Sequence, residues 1–162
     1  MERKTNRLKN YDYSNSGYYF ITICTEQKKN ILCHIVTENY VHPKTVLSET
    51  GLIVKNNIDE LSNVYPTVSV EQYVIMPNHL HLILKIDDDS EQTQFAPTIS
   101  RVIKQFKGSI TKQIGVSIWQ KSFYDHIIRD EKDYLRIAEY IENNPAKWQE
   151  DKYYCSGELC SP

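Results

Sequence analysis

The stretch VSVEQYVIMPNHLHLILKI, residues 68–86, constrains the fold more than any other part of the chain. Residues 68–76 and 79–86 are two runs rich in β-branched and aliphatic side chains, and the pair between them, Pro77-Asn78, favours a turn. They read as adjacent antiparallel strands, and the rest of the chain must supply the layers that cover them. The second run also carries two histidines one residue apart. Residues i and i+2 of a strand point to the same side, so His79 and His81 present two imidazoles on one face. Imidazole nitrogens suit Zn, Mn, Fe or Cu and tolerate Mg in mixed oxygen sites. The plainer alternative is a pair of half-exposed histidines on an edge strand.

The other elements follow from pattern. Residues 17–25 (GYYFITICT) form a first strand, and residues 31–41 a weaker second one that ends at Pro43. Residues 48–65 read as a helix with Leu52, Ile53, Ile58 and Leu61 near one face, stopped by Pro66. The clearest helix is marked by Ile99, Val102, Ile103, Phe106 and Ile110, with Arg101, Lys104, Gln105 and Lys112 on its other side. Residues 119–129 read as a short strand or extended segment. A last helix starts at a cap, Asp130 or Asp133, and runs through Asn144 to Pro145. Strands interrupted by helices, with one antiparallel pair among them, indicate an α+β class. At 162 residues, 40% hydrophobic and 25% charged, the chain fits one globular domain.

Charge and cysteine usage narrow the function classes. No apolar run approaches the roughly 18 to 20 residues that span a bilayer, and no apolar segment follows the basic start, so no membrane partner and a cytoplasmic location are expected. The four cysteines show no CxxC spacing, and Cys155 and Cys160 have no histidine near them, which points to reduced thiols rather than a zinc site. A net charge of −2 argues against a generally basic nucleic-acid binder. The distribution differs from the sum, because residues 92–124 contain no Asp or Glu but hold Arg101, Lys104, Lys107, Lys112 and Lys121. That is a local binding signal.

In the last helix Tyr134, Ile137, Ala138 and Ile141 make an apolar face. Tyr140 and Asn144 are four residues apart and therefore neighbours on an adjoining strip. Tyr140 could place a phenol beside a metal, and Asn144 could offer it an amide oxygen. Equally, the tyrosine could simply pack over the helix shoulder while Asn144 helps end the helix. His126 raises a rival reading, a three-histidine zinc hydrolase with His79 and His81.

The segments MPNHLHLIL, IWQKSFYDHIIRD and YIENNPAKW occur in one order that resembles the single-tyrosine HUH transposases, in particular their REP-associated branch. The resemblance covers residues 17–148. It implies a ferredoxin-like/HUH antiparallel sheet with helices packed on it, preceded by a basic arm (1–16) and followed by a short tail (149–162). It further implies that His79, His81 and Asn144 hold a divalent metal, Mg²⁺ or Mn²⁺, and that Tyr140 is the catalytic nucleophile. The expected activity is nicking and rejoining of single-stranded, hairpin-containing DNA through a 5′-phosphotyrosine link, by a monomer or a homodimer. Arg101, Lys104, Lys112 and Lys121 would follow phosphates, Trp119, Phe123 and Tyr124 would stack on bases, and Arg3, Lys4, Arg7 and Lys9 would form a DNA-contacting arm. Ligand histidines must be neutral, so activity is expected to fall as pH drops through about 6. The alternative from another class is a non-catalytic single-stranded nucleic-acid-binding module on the same fold.

Overall fold

The structure, a computed structural model, describes residues 16–37, 43–87 and 97–156. Its centre is a four-stranded antiparallel sheet of β1 (Gly17–Cys24), β4 (Val68–Ile75), β5 (His79–Ile86) and β6 (Tyr124–Ile128), in the order β4-β5-β1-β6. The hairpin read from residues 68–86 is present. Ile75 pairs with Leu80, and Met76 N–H donates to the His79 carbonyl across the Pro77-Asn78 turn. β5 lies inside the sheet between β4 and β1, so His79 and His81 are on an interior strand rather than an edge.

Side-chain alternation divides the sheet into two covered faces. On one, Tyr19, Ile21 and Ile23 of β1 and Leu80, Leu82, Leu84 and Ile86 of β5 pack against α1 (Glu49–Asp59) and α3 (Ile99–Ile114). On the other, Phe20, Ile83 and Ile128 meet Ile137 and Ile141 of α4 (Glu131–Asn143) in a smaller cluster. Each of these three helices starts where a side chain takes up an orphan N–H. Ser48 caps α1 through Gly51 N, Thr98 caps α3 through Arg101 N, and Asp130 caps α4 through Asp133 N. Gly51 is required by space, because a Cβ there would lie 2.0 Å from the Leu32 carbonyl oxygen. Gly115 ends α3 at φ 86°, in the left-handed region that favours glycine.

The departures from the sequence expectation are local. The helix expected over residues 48–65 breaks into α1 and a single turn, α2 (Leu61–Val64). The weak second strand is only β2 (Cys33–Val36), and it pairs with an unexpected β3 (Lys44–Leu47) in a separate hairpin. The extended segment 119–129 resolves into an isolated Thr25–Trp119 bridge followed by β6. Cys24 and Cys33 are free thiols, but Cys155 is disulfide-bonded, against the expectation of reduced cysteines. The basic arm residues Arg3, Lys4, Arg7 and Lys9 lie outside the described residues. No helix among the described residues is long and apolar enough to cross a membrane.

Candidate metal centre and tyrosine

His79 and His81 project from β5 toward the α4 side of the sheet and are essentially fully buried. Each imidazole is fixed through Nδ1. His81 Nδ1 is 2.8 Å from Thr22 Oγ1 on the neighbouring strand, its register partner. His79 Nδ1 is 2.8 Å from Asn78 Oδ1 in the turn just before it. A ring nitrogen held in this way leaves Nε2 with its lone pair for a ligand, the arrangement found around metal-binding histidines. Asn78 is itself buried. Its amide Nδ2 donates to the Tyr153 and Lys28 carbonyls, so the turn that orients His79 is tied to two distant segments.

A third group comes from a residue that the sequence did not single out. After Pro145 the chain makes a turn, Trp148–Glu150, that brings Asp151 back over the histidines. Its carboxylate is buried, with Oδ2 3.9 Å from His79 Nε2. One ligand atom from each of His79, His81 and Asp151 falls within 4.8 Å of the others, a cluster that could hold a divalent metal ion. Asn144 stands beside it, and its Nδ2 donates to Asp151 Oδ2 at 2.8 Å. Two buried atoms of this site, His79 Nε2 and Asn144 Oδ1, have no hydrogen-bond partner. Both are lone-pair donors, and leaving such groups buried and unpaired is costly unless something accepts those lone pairs. The only other buried orphan side-chain atom among the described residues, Trp119 Nε1, belongs to the opposite core. The donor set, two imidazole nitrogens with a carboxylate oxygen, could coordinate a divalent metal ion.

Tyr140 reaches the same point from α4. Its hydroxyl is 3.4 Å from His81 Nε2 and 3.5 Å from Asp151 Oδ2, and its ring is 40% exposed along the wall of a cavity of about 770 Å³. The structure therefore brings His79, His81, Tyr140 and Asn144 together and adds Asp151. Burial lowers His79 from its ordinary 6.5 to about 4, against a partial opposing pull from the Asp151 charge and the Asn144 side chain. Burial, then the neighbouring His79 and Lys152, also hold His81 well below the usual histidine range. Both imidazoles are thus neutral at pH 7, as ligands must be. Burial and the Asp151 carboxylate push the Tyr140 phenol up to about 12, with the Asn144 amide acting against them.

The DNA-binding candidates fall elsewhere. Arg101, Lys104 and Lys112 are exposed on the outer side of α3, across the sheet from Tyr140, and Lys121 is exposed in the loop before β6. Trp119 is a correction. It is 5% exposed and packs beside Phe106 with ring centroids 6.5 Å apart, so it is a core residue without a free face for a base. Tyr124, 39% exposed, does line the cavity by Tyr140, as do Arg136, Lys147 and Lys152, which the sequence had not marked. His126 is not part of the metal cluster, since its Nε2 pairs with Asp133 at 2.7 Å. That removes the geometric basis for a three-histidine zinc site.

Comparison with known proteins bears on the sequence and the fold. No protein-family model matches the chain. A Haemophilus influenzae protein of uncharacterised function is 35% identical, over 94% of this chain and 93% of its own length. A second H. influenzae protein, provisionally named a REP-associated tyrosine transposase, is 26% identical over 86% of this chain and 77% of its own. The Escherichia coli REP-associated tyrosine transposase is 33% identical, but over only 48% of this chain and 44% of its own. Among solved structures, a REP-associated tyrosine transposase bound to a REP hairpin superposes with a TM-score of 0.64 at 22% identity, covering 87% of this chain and 73% of that one. A provisionally assigned transposase of Deinococcus radiodurans gives 0.51 at 16% identity, covering 85% of this chain and 95% of its own. In fold the chain is similar to these transposase structures, and in sequence it is remotely similar to the REP-associated tyrosine transposases.

Proposed function

We propose that the protein cleaves and rejoins single-stranded DNA near hairpins, with Tyr140 as nucleophile and His79, His81 and Asp151 holding a divalent metal beside Asn144. The observation that carries this reading is the Tyr140 hydroxyl at 3.4 and 3.5 Å from the side chains of two of those residues, on the wall of an open cavity. Bound there, a metal ion supplies Lewis-acid stabilisation of charge on the scissile phosphate. The chain's own residues do the rest. α4 fixes the phenol over the site. Its oxygen attacks phosphorus as the P–O3′ bond breaks, leaving a 5′-phosphotyrosine ester and a free 3′-hydroxyl. The phosphoester is conserved, so a later 3′-hydroxyl can reverse the step and rejoin the strand. The raised Tyr140 pKa means that the phenol needs added positive charge to ionise, which a metal held by His79, His81 and Asp151 would supply, and its proton passes to water in the open cavity. Tyr124 offers a face on which an unpaired base can stack.

The test is incubation with Mn²⁺ and end-labelled single strands that carry hairpins, followed by denaturing electrophoresis. A protein–DNA band that survives SDS and disappears in Tyr140→Phe or with EDTA is the expected result. A second reading, a binding module without catalysis, draws on the cationic outer side of α3. It predicts salt-sensitive binding indifferent to Tyr140→Phe and to chelation, with no covalent band for any hairpin.

A further inference from the structure

The cavity that contains Tyr140 and His81 continues toward β6, where it is lined by His126 and Arg136. These two side chains converge on one carboxylate. Asp133 Oδ2 takes His126 Nε2 at 2.7 Å, and Oδ1 takes Arg136 Nη2 at 2.6 Å. His126 sits opposite Phe20 in the sheet register, so it faces the α4 side and the site. The carboxylate thus links the edge strand to the helix that carries the tyrosine. Arg136 remains largely exposed, at 69% of its side chain.

An exposed arginine–aspartate pair of this kind adds little to stability. What distinguishes this one is placement. Arg136, Tyr140 and Asn144 follow one another at four-residue intervals on α4, about 6 Å apart along the helix axis. That interval is comparable to the separation of successive phosphates in an extended nucleic-acid strand. A guanidinium has further N–H donors beyond the one that Asp133 engages, in the planar fork that suits phosphate oxygens.

We propose that Arg136 binds the phosphodiester next to the one Tyr140 attacks, and that Asp133 and His126 position its guanidinium for that contact. The inference rests on the single-strand cleavage reading above. Arg136 is then the contact that sets the register of the strand along α4, while Asp133 and His126 act through it. Lys147 and Lys152 also line the cavity, together with the acidic Glu139 and Glu150, so Arg136 is one of three cations beside Tyr140 there.

The experiment measures affinity for a short fluorescein-labelled oligodeoxythymidylate by anisotropy across a range of NaCl concentrations. It uses the full chain carrying Tyr140→Phe, so that cleavage plays no part. Arg136→Gln should reduce the slope of log affinity against log salt by about 0.7, the value for one phosphate contact on a single strand. Arg136→Lys should keep the slope. Asp133→Asn should keep it too, but with several-fold weaker binding, because the cation is present and no longer held. An Arg136→Gln slope equal to that of its parent, with the thermal transition of the variant unchanged, overturns the proposal, as does failure of the parent to bind the strand. Full parental affinity in Asp133→Asn overturns the positioning role. Covalent adduct formation by the Tyr140 protein, scored separately, distinguishes the two readings. An adduct with an unaltered Arg136→Gln slope leaves the chemistry and removes the phosphate contact, whereas a lost slope without any adduct does the reverse.

Discussion

Replacing Asp151 with asparagine separates what this carboxylate does for the fold from what it does for the metal. The side chain is 1% exposed, accepts hydrogen bonds from Asn144 Nδ2 and Tyr153 N, and faces an imidazole that burial keeps neutral. Asparagine has similar shape and retains an acceptor oxygen. Without metal it loses charge-assisted hydrogen bonds and gains relief from burying an unpaired anion, so stability in EDTA should change by no more than about 1 kcal/mol. With metal the balance differs, because an anionic ligand among neutral ones is gone. A loss of about 100-fold in Mn²⁺ affinity is the expected size. At a free Mn²⁺ concentration of about 1,000 times the original Kd, ligand linkage stabilises the parent by about 4 kcal/mol and the variant by about 1.4 kcal/mol. The difference, near 2.7 kcal/mol, corresponds to a metal-induced rise in Tm smaller by about 5 to 11 °C for a chain of this size. Thermal unfolding of both proteins in EDTA and in Mn²⁺ measures this directly. Equal Mn²⁺ shifts in the two proteins, while His81→Ala abolishes its own, would refute the assignment of Asp151 as a ligand and return the third position to Asn144.

Two further predictions rest on the histidines. The folded-state value of His79, about 4, lies below its ordinary 6.5, so the unfolded chain takes up protons first as pH falls. The stability that depends on neutral His79 is therefore fully present above about pH 6.5 and is lost on the way down to about pH 4, to the extent of about 3 kcal/mol. Urea unfolding in EDTA near pH 7 and near pH 4 should show this loss shrinking in His79→Gln, and an equal loss in both proteins would contradict it. The same burial shifts the acid limit for metal binding below the pH 6 expected of free imidazoles. Separately, Thr22→Val removes the hydroxyl that holds His81 Nδ1 and should weaken Mn²⁺ binding by about 10- to 100-fold. An unchanged Mn²⁺ titration would mean that the ring is oriented by its packing on Phe20 instead.

Much of the site was legible because its residues lie in regular elements. Two histidines separated by one residue in a strand must share a face, and a tyrosine and an asparagine separated by four on a helix must be neighbours. What periodicity could not supply is which elements face each other. Asp151 escaped notice because it comes from an irregular turn after Pro145, where no repeat predicts direction, and its nearness to His79 exists only after the chain folds back. The α3 cations, expected to follow phosphates, are exposed on the helix side away from its apolar stripe, but the sequence does not say on which side of the sheet α3 lies. Trp119 is similar. A tryptophan beside lysines is compatible with a stacking surface or with a core, and its packing on Phe106 decides for the core. The short strand β3 was missed because four residues between Pro43 and a helix cap carry too little alternation to register.

The two faces of the sheet are secured very differently. The histidines ride on an interior strand whose back is locked into the larger core, whereas α4 is fastened by the small cluster of Phe20, Ile83, Ile128, Ile137 and Ile141. Opening free energies follow the apolar surface that each unit buries, so the two halves of the site belong to different tiers of local stability. The platform that carries the imidazoles should stay closed to hydrogen exchange up to global unfolding, while the helix that carries the phenol opens at lower cost. A covalently attached strand would then be anchored to the part of the molecule most able to lift away and return.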